Sequence, residues 1–112
     1  MFSFLRAQPA AAPSDAASPE SGEPVLFIDV RSAGEFASGY LEGALNVPLD
    51  QLQQRLPQLV PDLDRELVLY CASGARSAFA CGLLQPLGYR RARNGGGVSL
   101  LAMTTQRPVR YA

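Results

Sequence analysis

Two short, unbroken apolar runs, each ending on a reactive side chain, constrain this chain most. Val25-Leu26-Phe27-Ile28 runs into Asp29, and Leu67-Val68-Leu69-Tyr70 runs into Cys71. Runs of this length without polar alternation fit strands covered on both faces. Ala44 to Val47, halted by Pro48, predicts another short strand, and Arg90 to Arg93 an edge strand. Helical signals fall between them. Ser32 to Ser38 reads as a short helix with Ser32 as N-cap and Glu35 at capping-box spacing. Leu49, Leu52, Leu56 and Leu59 recur at three- and four-residue steps, predicting a helix over 49–57 closed by Pro57 and Pro61. Ser77 to Leu84 is helix-prone, with Gly88 as its terminator, and Val98 to Met103 predicts a last short helix after a turn at Asn94-Gly95-Gly96-Gly97. Strands and helices alternate throughout. That pattern implies an α/β fold, a central mainly parallel sheet with helices on both faces, and a site beyond the carboxyl ends of the strands.

The 112 residues amount to one domain. Residues 1–24 are expected to be a flexible tail, Ala/Pro/Ser-rich from Ala7 to Pro24, with the domain at 25–112. No apolar run approaches the ~20 residues of a membrane span. The apolar start at Met1 is broken by Arg6, Gln8 and Pro9, short of the usual ~7–15 residue signal core. A cytoplasmic location is expected, with a periplasmic one the alternative if a cleaved signal preceded the tail.

What the chain lacks narrows its chemistry. Ten basic residues balance ten acidic ones, so nothing calls for a nucleic acid or an anionic membrane as partner. The chain has no His, which excludes Ser-His-Asp and Cys-His catalysis and His-bound metals. Every basic residue is Arg, so no lysine Schiff base or phosphate-loop lysine exists. Two Cys cannot build a four-Cys zinc site. The expectation is chemistry with no metal and no organic cofactor.

Cys71 is the candidate nucleophile. It sits at a strand tip, and Ala72-Ser73-Gly74-Ala75 is small and flexible enough for the backbone to curl around one atom. Inward-pointing amides would form an anion nest, the following helix would add its positive end, and Arg76 a fixed cation. All three favour thiolate over thiol, lowering the pKa from its usual ~8.5 without help from a His. Catalysis of this kind requires a sulfur that solvent can reach. The bland alternative is a small core cysteine at a strand end.

Cys71-Ala72-Ser73-Gly74-Ala75-Arg76-Ser77 resembles the active-site loop of rhodanese-like single-domain sulfurtransferases. Asp29-Val30-Arg31, Glu35-Phe36 with Gly39 to Pro48, and Gly96-Gly97 before a short helix resemble further motifs of that family, in the same order, across residues 25–103. The resemblance implies the three-layer rhodanese-like fold and a sulfur relay. Cys71 would take the outer sulfur of thiosulfate or a similar small anionic donor as a persulfide, then pass it to cyanide or a thiol acceptor. Ala72, Ser73, Gly74, Ala75, Arg76 and Ser77 would bind substrate, their amides facing the persulfide. Only four residues separate Cys71 from Arg76. Cysteine phosphatases place one more there, and the shorter ring suits one sulfur better than a tetrahedral oxyanion. Ala72 stands where a cation is frequent in the family, Tyr40 where His is common, and Leu101 where Trp is usual. Two alternatives stay open: a non-catalytic module that binds a partner, and a sulfur carrier to a dedicated protein acceptor. A monomer is expected.

Other residues receive structural readings. Asp29 and Arg31 are expected to pair at the strand end and support the loop. Cys81 is expected to pack in its helix, the alternative being a resolving thiol for Cys71. Arg90, Arg91 and Arg93 are read as a solvated, charged sheet edge.

Overall fold

The computed structural model describes residues 23–112, so the expected tail lies almost wholly outside the described residues. Four parallel strands form the central sheet: β1 (Leu26–Asp29), β3 (Leu45–Asn46), β4 (Leu67–Cys71) and β5 (Ala92–Gly97), in the order β3-β1-β4-β5. A separate antiparallel pair joins β2 (Tyr40–Leu41) to β6 (Val109–Arg110). The helices are α1 (Ala33–Ala37), α2 (Leu52–Leu59), α3 (Ala75–Leu84) and α4 (Val98–Thr105), with a 3₁₀ turn at Leu49–Gln51 leading into α2.

Alternation along β1 and β4 feeds two cores, as the unbroken apolar runs require. Ile28, Leu67, Leu69 and Cys71 join Leu52 and Leu56 of α2 and Ala80 and Leu84 of α3. Phe27, Val68 and Tyr70 join Leu41 and Leu101 of α4 on the other face. The expected α/β class, a parallel sheet between helical layers, is what the chain adopts. From β1 the chain passes to β3 on one side, then returns to β4 on the other. The carboxyl ends of β1 and β4 therefore meet where the strand order reverses, the usual place for a site in such sheets.

Three expectations need correction. Pro57 lies inside α2 rather than ending it, and the helix closes where Val60 N–H donates to Leu56 O at 2.7 Å. Pro57 leaves the Gln53 carbonyl without its helical bond, and both residues are exposed to solvent. Leu59 accordingly faces solvent instead of extending the apolar stripe. Finally, Asn94 to Gly97 is not a turn. It completes β5, which begins two residues later than the expected Arg90 start and runs on to Gly97. Leu69 pairs with Asn94 and Tyr70 with Gly96, so Gly95 is the extra residue of a bulge that lets a glycine run follow β4 to its tip. β5 is the sheet edge, and Arg91 and Arg93 share Glu66 while Arg90 pairs with Asp64, so each arginine of the basic cluster has a carboxylate partner.

Among the described residues, no helix is long and apolar enough to cross a membrane. Nor do any groups of three or more His, Cys, Asp or Glu lie where they could hold a metal ion.

Candidate active site

The segment from Cys71 to Ser77 turns sharply between β4 and α3. Gly74 makes the turn with φ of +103°, a left-handed conformation that residues with a Cβ rarely adopt. There its N–H donates to Cys71 Sγ at 3.0 Å, and Ala78 N–H donates back to Gly74 O at 3.0 Å to start the helix. Ser77 Oγ lies 3.5 Å from the same sulfur. Burial pushes the Cys71 thiol pKa up. Hydrogen bonds from the Ser77 hydroxyl and from the amides of Ser77, Ser73 and Gly74 outweigh it and bring the thiol down to about 7. Near neutral pH, about half the sulfur is then thiolate.

β5 holds the loop from the side. Asn94 Nδ2 donates to Gly74 O at 3.0 Å, while Asn94 Oδ1 accepts from Gly96 N–H at 2.9 Å and lies 2.6 Å from Ser77 Oγ. Those partners fix which way the Asn94 amide points. A Cβ at Gly97 would stand 2.5 Å from Ala72 O, so only glycine lets β5 run this close to the loop. In the sequence, Asn94 reads as part of a turn. Its spacing to Ser77 carries no local signal, because the contact exists only after β4 and β5 pair.

Arg76 does not point freely outward as a cation for anions. Its Nη1 and Nη2 donate to Glu35 Oε1 and Oε2 at 2.8 and 2.9 Å. Glu35 also closes the expected capping box. Its Oε1 accepts from Ser32 N–H at 3.1 Å, and Ser32 Oγ accepts from Glu35 N–H at 3.2 Å. The bond from Arg76 and those from Ser32 hold the Glu35 carboxyl down to about 2. Arg76 is raised above its ordinary value, chiefly by Glu35 and to a smaller degree by the Cys71 sulfur. Arg76 also lines a groove of about 580 Å³ beside the loop, with Val30, Ser32, Leu49, Phe79 and Leu83.

At the carboxyl end of β1, Asp29 and Arg31 form the expected pair. Asp29 Oδ1 accepts from the Arg31 backbone N–H at 2.9 Å, and Oδ2 from Arg31 Nη2 at 2.6 Å. Arg31 Nη2 also donates to Gly39 O at 2.6 Å, and both residues are buried. Tyr70, next to Cys71, accepts from Leu41 N–H at 2.9 Å, which ties β4 to the small β2–β6 sheet. Cys81 and Cys71 are both free thiols. Cys81 is half-buried against the same core, and burial pushes its thiol pKa up.

One expectation fails. Cys71 has 0% of its surface exposed, so its sulfur is not open to solvent in this conformation. Ala72, Ser73 and Ala75 are exposed, placing the sulfur directly beneath an accessible loop. A strand-tip position is legible from sequence, but the depth of a sulfur below its own loop is not.

The chain is similar over most of its length to known proteins. Residues 12–99 match the Rhodanese-like domain family. The chain is 34% identical over 77 residues to thiosulfate sulfurtransferase PspE of Escherichia coli, covering 69% of this chain and 74% of that protein. It is 40% identical over 77 residues to a sulfurtransferase of Allochromatium vinosum, covering 68% and 70% respectively. Among solved structures, a rhodanese with anions from E. coli superposes with a TM-score of 0.72 at 31% identity, over 79% of this chain and 99% of that one. The chain thus belongs to the rhodanese-like domain family and is related over most of its length to thiosulfate sulfurtransferase-like enzymes.

Proposed function

We propose that this protein moves a sulfane sulfur from thiosulfate or a similar anionic donor to cyanide or a thiol acceptor, carrying it as a persulfide on Cys71. The observation that supports this most is the Cys71 sulfur itself: it receives the Gly74 amide at 3.0 Å and has a pKa brought down to about 7 in a chain that has no His. In the first half-reaction, the Cys71 thiolate attacks the outer sulfur of thiosulfate. A new S–S bond forms, the old one breaks, and sulfite leaves with its electron pair. The persulfide keeps one negative charge, which the amides of Ser73, Gly74 and Ser77 stabilise. In the second, cyanide attacks the outer sulfur, thiocyanate departs and the thiolate returns. Ala72, Ser73, Ala75 and Arg76 form the rim that meets substrate.

The buried sulfur adds a requirement. The loop opens before donor reaches Cys71, and closes over the loaded persulfide. This same burial favours a second reading, a binding module that has kept the fold without turnover. Thiocyanate formation from thiosulfate and cyanide separates the two: the enzyme produces it and Cys71→Ser does not, whereas a module produces none. Phosphate release from an aryl phosphate would contradict both.

A further inference from the structure

Resting on the sulfurtransferase reading, we infer that Glu35 sets the charge preference for donor: it holds Arg76 in a bidentate pair and withholds that cation from the anion approaching Cys71. The two residues lie 41 positions apart, and the fold brings the first turn of α1 against the first turn of α3. Both guanidinium nitrogens that face Glu35 are occupied. Arg76 is also the one arginine among the groove-lining residues beside the loop. An anion that approaches Arg76 meets a cation already neutralised by Glu35.

The pair is held loosely enough to matter. The side chains of Arg76 and Glu35 are 41% and 38% exposed. Ion pairs this exposed are weak, so an incoming anion competes with the carboxylate for the guanidinium. With a pKa near 2, the Glu35 carboxyl stays ionised through the physiological range. Displacement by anion, not protonation, is what releases Arg76. A doubly charged donor therefore faces Glu35 as a rival for its cation, and a singly charged donor gains less from Arg76 in the first place.

Glu35→Gln tests this without dismantling the helix. Gln keeps the oxygen that accepts from Ser32 N–H, since capping boxes use Glu or Gln. Its amide nitrogen opposes the second Arg76 donor, and the bidentate pair is lost. The assay compares thiosulfate, a dianion, with methanethiosulfonate, a monoanion that leaves as a sulfinate. At the strength of one solvent-exposed charge contact, KM for thiosulfate falls about fivefold and KM for methanethiosulfonate about twofold, with kcat changed less than twofold. In an Arg76→Gln background, the same Glu35→Gln change leaves both KM values where they were. Equal shifts for the two donors, no shift, or a shift that persists without Arg76 would each overturn the assignment. Wild-type protein that takes sulfur from neither donor would remove the sulfurtransferase reading itself, and this inference with it.

Discussion

The Ser77 hydroxyl lies 2.6 Å from Asn94 Oδ1 and has two further acceptors, Gly74 O at 3.2 Å and the Cys71 sulfur at 3.5 Å. It carries a single proton. Against a thiol it donates to Asn94, and against a thiolate it can turn to the sulfur, so the β4–α3 loop answers to the charge state of Cys71.

Ser77→Ala removes that donor and leaves the amides. Cys71 alkylation by a small electrophile should rise with pH and level off above a midpoint of about 7 in the wild type. Thiolate is the reactive form, so the rate is lost as pH falls through that value. In Ser77→Ala the midpoint moves up by about one unit, as loss of one hydrogen bond to a charged group implies. Cys81 does not interfere, because burial keeps it a thiol at these pH values. An unmoved midpoint would assign the shift to the amides alone.

Gly97→Ala puts a methyl group 2.5 Å from the Ala72 carbonyl oxygen. The loop backbone must shift, since the obstacle is main chain rather than a flexible side-chain end. Overpacking of this kind costs about 1–3 kcal/mol. Sulfur transfer should fall at least tenfold in protein that still unfolds cooperatively, as read by kcat/KM beside a denaturant titration.

Asp29→Ala leaves the buried Arg31 guanidinium with Gly39 O as its remaining hydrogen-bond partner. Breaking a buried pair from one side costs about 3–5 kcal/mol. The urea midpoint should drop accordingly, and activity should fall only as far as the folded fraction does. Full stability with lost turnover would instead place Asp29 in the chemistry.

What the sequence made legible follows from distance along the chain. The capping box of Ser32 and Glu35 spans three residues and appears as expected. The apolar runs that end at Asp29 and Cys71 identify the two strands whose tips meet. Those features are local, and local chemistry decides them. The Arg76–Glu35 pair and the Asn94 contacts to Ser77 and Gly74 join distant segments, and only the strand order β1-β4-β5 brings them together. Gly95-Gly96-Gly97 misled for a different reason. A glycine run is the ordinary signature of a turn, yet here Gly97 lies where the space between β5 and Ala72 admits no Cβ. The β2–β6 pair was missed because two-residue strands leave no periodicity to read.

The intact mass of the protein after incubation with thiosulfate tests the central claim most directly. The expected result is a gain of one sulfur atom, its complete loss on adding cyanide with an equal amount of thiocyanate formed, and no gain in Cys71→Ser. An unchanged mass in the wild type, or a gain that survives in Cys71→Ser, would contradict it.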